Sequence, residues 1–567
     1  MKSSHRTLLA VALSAGFFIL WYTVINPPKK PATQPVQAPA AEKAQAEAES
    51  VAAAEQKQTA KPMEAVASSL AADPQSKVPL STVTLKNELV ELEITNDGGT
   101  LVDWRTLDYT QTTEKGSPLI DLASVEAGFR RPLDFTIEGT GMAIPERPRY
   151  EVASVEENKV VLSWRSPGEI SIVKTIELEK DRYVADVTVE ITNESERAIS
   201  AEPALGWTAT NEPKKKGGFF SFLKRGQVDN RLPVFFSDGK VHREKDVDES
   251  VSVPGSVYWS GIESRYFISA IIPRVQGEGL AAFYGAEGVE GAKPGTQGVW
   301  AGVRLPSMPM APGQKASAAF TVYSGPKDIH RLKAMGVRLD KAIDYGWFTV
   351  IAIPILYMLK FFYGIIHNYG IAIILLTIVV KLILHPINVK SLKSMKAMQQ
   401  LQPRLKELQA KYKGDKQKLN QETMQLFRTH KVNPMGGCLP MILQLPIYIA
   451  LYKVLWSSIE LYHAPFFWFY KDLSAPDPYM ITPILLGVFM VFQQRVMPSA
   501  SADPAQKKMM MLMPVMFTVF MLFLPVGLVL YILVNTFMSV TQQYMYNKGI
   551  GLMDIVRGRA KFRTAKA

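Results

Sequence analysis

Two hydrophobic periods divide the chain. Over 81–326 apolar and polar residues alternate. Val90, Leu92 and Ile94 stand against Glu91, Glu93 and Thr95, and Asn96-Asp97-Gly98-Gly99 then forms a turn. Ile170, Ile172, Lys174, Ile176 and Leu178 repeat the period, as do Val187, Val189 and Ile191 beyond Asp181-Arg182. Short strands of period two with regular turns predict a large all-β sandwich. At roughly 245 residues it is long enough to bury a sizeable core. After residue 327 the apolar runs lengthen to what a bilayer span needs, at 368–388, 436–456, 479–497, 509–524 and 526–546. One more lies at 7–25, behind Lys2 and Arg6, and Asn26-Pro27-Pro28-Lys29 follows it with no small-x-small cleavage site. This reads as an uncleaved anchor rather than a removed leader.

Charge fixes the direction of each crossing. Residues 389–432 hold eleven Lys/Arg against Glu407, Asp415 and Glu422, and a basic short loop belongs in the cytoplasm. The sandwich follows an anchor whose N-terminus is inside, so it lies outside. Only one of 347–366 and 368–388 then crosses. The first, with Pro354 and Lys360, is expected to lie along the outer interface as an amphipathic helix. Lys507-Lys508 and the tail with Lys548, Arg557 and Arg559 fall on the same inner side.

The expected fold is a membrane α-helical bundle, an N-terminal anchor plus a five-span core, carrying a large external all-β sandwich. Its divisions are an anchor 1–25, a flexible Ala/Gln/Pro-rich tether 26–80, the sandwich 81–326, and a helical linker with the interfacial helix 327–367. The first core span 368–388 follows, then a basic helical hairpin 389–432 broken at Gly414-Asp415, four further spans within 433–546 and a basic tail 547–567. Of 567 residues 47% are hydrophobic, the net charge is +12, and the single cysteine, Cys438, permits no intramolecular disulfide. The positive charge gathers beside apolar spans, so orientation explains it before nucleic acid does. In the sandwich no metal spacing, nucleophile elbow or phosphate loop occurs; His242 and Glu263 read as solvated loop or edge positions, and Lys214-Lys215-Lys216 before Phe219-Phe220 as a loop. No cofactor, metal or enzymatic chemistry is expected.

Candidate chemistry centres on Lys381, the one charge deep within the predicted spans, none of which contains Asp or Glu. It either snorkels to the nearer headgroups or marks a site. Thr377 and His385 share its helix face at four-residue steps; Gln444 and Tyr448 form a second polar stripe, and Tyr531, Asn535 and Ser539 a third. Singly each is interhelical glue, and together they describe a wet groove. On the hairpin Lys393, Lys396, Arg404, Lys411 and Lys413 form either a solvated face beside anionic lipid or a contact with the RNA surface of a ribosome. Met509, Met510, Met511, Met513, Met516 and Met521 serve either as gap-filling core or as a flexible surface for apolar ligands.

Asn433-Pro434-Met435-Gly436-Gly437-Cys438-Leu439-Pro440, followed by Gln444 and Pro446, resembles the signature of the YidC membrane protein insertases, relatives of mitochondrial and chloroplast insertases. Asp503-Pro504 before the methionine run and Pro525-x-Gly527-Leu528-x-Leu530-Tyr531 match as well, and the anchor, tether and large β domain resemble the Gram-negative form. The resemblance implies insertion and folding of nascent integral membrane proteins in the bacterial inner membrane, by a monomer, alone or with the Sec translocon and the translating ribosome, in contact with membrane lipids. It also implies a hydrophilic groove open to cytoplasm and lipid, closed to the periplasm, with one basic residue corresponding to Lys381. Many members carry arginine there, so lysine favours charge attraction and hydration over a bidentate fork. The family's aromatic pair in the last span appears as Tyr531-Ile532. A lipid scramblase or a solute or ion transporter are the alternative classes, the latter without the expected repeats or acidic coupling residues.

Overall fold

The alternation of the first half becomes antiparallel β structure in three sheets. The largest runs, in spatial order, through Lys240–Arg243, Leu232–Ser237, Val257–Glu263, Phe267–Pro273, Lys315–Pro326, Val184–Asn193, Ile170–Leu178, Lys159–Ser166 and Glu151–Val155. A second is built on Ile199–Asn211, which pairs with Gln297–Arg304, Met308–Met310 and Asp134–Glu138. A four-stranded sheet comprises Thr82–Lys86, Val90–Thr95, Thr100–Thr110 and Leu119–Asp121. The computed structural model describes residues 61–62 and 78–548, without 143, 213–229, 246, 248, 290–291, 294, 413, 431, 433–438, 468 and 497–503. The expected anchor, nearly all of the tether, the Lys214–Lys216 loop, Lys413, Asn433 to Cys438, Asp503 and the tail past 548 lie outside these residues.

Inward residues of the strands form one apolar core that includes Val90, Leu92, Ile172, Ile176, Val187 and Val189, with Trp104, Trp207 and Trp259 fully buried. Between Val90–Thr95 and its partner strand a bulge inserts Val102 opposite the Glu93–Ile94 step, so the buried Leu101 and Trp104 stand three residues apart rather than two. The chain reverses through Gly98 and Gly99, at φ +72° and +59°, where a Cβ would be strained. Lys174 occupies an inward position of its strand. It is fully buried and donates to the Leu133 carbonyl at 2.7 Å.

Glu263 departs from the expected solvated edge position. It is buried and accepts from Arg243 Nε at 2.5 Å and from Lys327 Nζ at 2.9 Å, so three strand ends meet on one carboxylate. Burial raises its pKa, but the two cations outweigh burial and hold the carboxyl below its ordinary range. His242 is half-buried and stacks on Phe235 with centroids 4.7 Å apart.

A short helix, α1 (Ile329–Ala334), leads from the sheets to the helical half, capped by the Asp328 side chain on the His330 and Arg331 amides. Next come α2 (Thr349–Ile366), α3 (Tyr369–Lys411), α4 (Lys416–Thr429), α5 (Leu439–Ser457), α6 (Ile481–Val496), α7 (Pro504–Met521) and α8 (Val526–Asn547). By length and hydropathy, Gly346–Ile366, α3 and α8 suffice to cross a membrane; Ile481–Arg495 and Met511–Met521 are shorter and apolar. Asn368 caps α3, accepting from the Ile371 amide at 3.0 Å. Asp415 caps α4 across the break between the two hairpin helices. A second apolar core joins Leu356 and Leu359 of α2, Ile373 and Leu376 of α3, Ala450 and Val454 of α5, and Tyr531 of α8. Gly370 lets α3 approach Phe466 closely, since a Cβ there would come within 1.9 Å of the ring.

Side chains of the described residues fasten the β domain to the helices. The Arg265 guanidinium lies 3.6 Å over the Trp456 ring and donates to the Trp456 carbonyl at 2.8 Å. Tyr462 donates to the Thr110 carbonyl at 2.9 Å. Lys360 of α2 pairs with Asp328 at 3.0 Å and with Glu460 at 2.6 Å.

Candidate functional site

The three polar stripes meet along α8. Near its start the Tyr531 hydroxyl accepts from Gln444 Nε2 of α5 at 2.9 Å. One turn on, Asn535 Nδ2 donates to the Tyr448 hydroxyl, and the rings of Tyr448 and Tyr531 meet edge to face at 5.7 Å. Another turn on, the partner helix changes. Ser539 Oγ accepts from Lys381 Nζ of α3 at 2.7 Å, and Gln542 Nε2 lies 3.0 Å from His385 Nδ1. Four-residue steps put these groups on one face of each helix, so α8 is laced to α5 through its first half and to α3 through its second.

Lys381 is 9% exposed. Its partner is a hydroxyl, and among the described residues it makes no ion pair. The Ser539 hydroxyl itself donates to the Asn535 carbonyl at 2.7 Å, so its lone pairs face the ammonium. A hydroxyl leaves most of an ammonium's charge uncompensated, and two of its three N–H donors remain for other acceptors. Thr377 is placed differently from its stripe. It is fully buried and its hydroxyl donates back to the Ile373 carbonyl at 2.7 Å, one turn up its own helix. Gln444 and Asn535 are buried, and Tyr448 is half-buried. Together these groups supply one cation, amides and hydroxyls. Such a set can hold an anionic or amide-bearing segment by charge and hydrogen bonds. The described residues contain no group of three His, Cys, Asp or Glu able to hold a metal ion.

Ser539 and Gln542 complete this seam. Ser539 was visible in the sequence as part of the α8 stripe, while Gln542 shows only as a polar residue three positions later, beside His385 in space alone. On the hairpin, Lys393, Lys396, Arg404 and Lys411 are exposed. Lys396 lies 5.7 Å from the Tyr546 ring centroid, and Arg404 contacts His430 Nε2 at 2.7 Å. Leu401 and Leu405 of the same helix are buried.

Comparison with known proteins adds a family to this geometry. The sequence profile described as "60Kd inner membrane protein" matches residues 361–552, and that described as "YidC periplasmic domain" matches 82–358. The membrane protein insertase YidC of Syntrophus aciditrophicus is 37% identical, over 96% of this chain and 99% of that protein. The protein of the same name from Geobacter metallireducens is 36% identical, over 97% and 99%. Among solved structures, an active YidC insertase with its first transmembrane domain resolved matches with a TM-score of 0.36 and 19% identity, over 82% of this chain and 94% of that one. With both halves matched and full-length relatives aligned nearly end to end, the chain belongs to the YidC membrane protein insertase family, inner-membrane multi-pass proteins with a periplasmic domain.

Proposed function

We propose that the polar seam is the insertion groove of this insertase, and that Lys381 attracts the short polar, often acidic, tail of a nascent membrane protein part-way across the bilayer. The observation that carries this reading is the buried Lys381 ammonium whose partner is the neutral Ser539 hydroxyl, with no ion pair among the described residues. A cation so placed lacks its anion. The client supplies it, while Gln444, Tyr448, Tyr531 and Asn535 offer hydrogen bonds along the path. Thr377 keeps α3 packed tightly beside the lysine. Moving a charged side chain through hydrocarbon costs on the order of 3 kcal/mol on insertion scales, and a polar groove shortens that dry path. The client's apolar segment then settles into lipid and draws the tail outward, with no nucleotide required.

In this reading both termini are cytoplasmic and the core crosses five times, through 368–388 and four spans within 433–546. Residues 347–366 lie along the outer interface, a placement supported by the pairing of Lys360 with Asp328 next to the β domain. The hairpin residues Lys393, Lys396, Arg404, Lys411 and Lys413 face the ribosome, and the protein works as a monomer, alone or beside the Sec translocon. The test is insertion of a client with an acidic tail into vesicles. Lys381→Arg retains insertion and Lys381→Glu abolishes it; equal activity of the two rules out the electrostatic role. Photocrosslinkers at 377, 444 and 535 capture the stalled client.

A further inference from the structure

Away from the seam, α6 and the second half of α7 enclose an open cleft of about 460 Å³. We infer that this cleft is a binding site for one anionic phospholipid of the cytoplasmic leaflet, an acyl chain lying in the cleft and the phosphate held by Arg495. The inference rests on reading α6 and α7 as membrane spans with Arg495 at the inner end.

Four observations carry it. The wall contributed by α6 recurs at three- and four-residue steps, Ile484, Val488, Val491 and Arg495, so it is a single helix face. That face is apolar along its length and cationic at one end. From Ile484 to Arg495 it runs roughly 16 Å along the helix axis, close to the ~15 Å hydrocarbon depth of one leaflet. Arg495 therefore stands at headgroup level when the apolar part is immersed. Second, the lining is exposed within the protein: Val488 is 60% and Val515 of α7 55% accessible. No side chain of the described residues covers them. Third, Arg495 makes no ion pair or hydrogen bond among the described residues, so its guanidinium is available to a phosphate, which it can engage through two parallel N–H donors. Fourth, the floor is held open by close helix contact deeper in. Gly487 abuts Thr518, whose hydroxyl would lie 2.3 Å from an added Cβ. The cleft is thus a groove between two helices that touch at Gly487 and Thr518, and an apolar chain fits it where a polar one would leave its groups unpaired.

Charge complementarity selects the occupant. A nascent transmembrane helix would fill the apolar part without using Arg495, and a zwitterionic lipid would present an ammonium to it as well as a phosphate. An anionic headgroup satisfies both parts.

The experiment uses the full-length protein in vesicles of phosphatidylglycerol and phosphatidylethanolamine, extracted mildly and read by native mass spectrometry for lipid retained. One cation near the membrane surface corresponds to about fivefold in relative anionic-lipid occupancy. Wild type should therefore retain phosphatidylglycerol over phosphatidylethanolamine about fivefold more than Arg495→Gln does, and Arg495→Lys should keep most of the preference. Val488→Trp, a substitution at an exposed position that fills the groove, should lose the retained lipid while insertion of the client persists. Equal selectivity in wild type and Arg495→Gln overturns the proposal, as does protection of the groove by a stalled client that phosphatidylglycerol does not compete with. Impermeant labelling of cysteines placed at 480 and 496 separates the two layers. Labelling of both from one side sinks the span reading, whereas labelling from opposite sides without lipid selectivity sinks the lipid site alone.

Discussion

Glu263→Gln tests the buried charge cluster of the periplasmic domain. The carboxylate binds Arg243 and Lys327 at 2.5 and 2.9 Å, with the Glu263 and Lys327 side chains each 8% exposed. Arg243 also donates to the Ala342 carbonyl at 2.6 Å, tying the cluster to the chain that leads into the helices. Glutamine fills the same volume but removes the anion, leaving two cations facing each other out of water. Breaking a buried pair on one side costs about 3–5 kcal/mol, on the order of 10 °C in midpoint for a domain of this size. The matched control is Glu194→Gln, whose partner Arg165 is 67% exposed; there the loss should stay under about 1 kcal/mol. Urea titration of the full-length protein in detergent, followed by tryptophan fluorescence, reads both, since Trp259 is fully buried in the strand that ends at Glu263. The sign with pH is fixed. A carboxyl whose folded pKa is depressed contributes stability above its unfolded value, near 4.3, and loses it as pH falls through the folded value. The gap between wild type and Glu263→Gln should therefore be full at pH 7 and shrink below about pH 4. A Gln variant within 1 kcal/mol of wild type at pH 7, or a gap indifferent to acid, refutes the reasoning.

Three further outcomes follow from packing and charge. Burial lowers the Lys174 ammonium to about 7, against the opposing pull of Asp134; because the unfolded chain then holds its proton over a range where the folded one does not, stability should rise with pH from about 7 toward the ordinary lysine value, and Lys174→Met should flatten that rise in denaturant midpoints taken at several pH values. Gly370→Ala should lower thermal stability in detergent by about 1–3 kcal/mol through its clash with Phe466, whereas Gly364→Ala, with open space around it, should raise it by up to about 1 kcal/mol. A double-mutant cycle of Tyr448→Phe and Asn535→Leu should return a coupling of about 1 kcal/mol; a value near zero removes that bond from the seam.

Much of the architecture was legible because it depends on periodicity. Ile170, Ile172, Ile176 and Leu178 alternate inward as their spacing predicts, and the break at Gly414-Asp415 separates α3 from α4. The polar stripes were legible for the same reason: four-residue spacing places side chains on one face before any neighbour is known. What spacing cannot supply is the partner. Glu263 looks solitary because its cations lie 20 and 64 residues away and arrive only when strands pair. Lys174 looks like an outward lysine misplaced in an inward row, and only the Leu133 carbonyl explains why it can stay there. Thr377 shares a face with Lys381, yet its hydroxyl is taken by its own helix, a choice of rotamer that spacing does not encode. The residues 346–366 are long and apolar enough to cross, so helix length does not distinguish the interfacial placement from a span; the basic hairpin carried that argument.

The continuity of α3 has a mechanical corollary. Its 43 residues make one rod about 65 Å long, with Pro386 withholding the amide that would have bonded Leu382. Pro403 opens a second such gap nearer the tip, so the rod has two soft joints, the first roughly 8 Å along the axis from the Lys381 backbone and roughly 38 Å from the tip at Lys411. A load at the tip is thus shared between the two joints, and only part of a swing of the hairpin reaches the helical turn that carries Lys381.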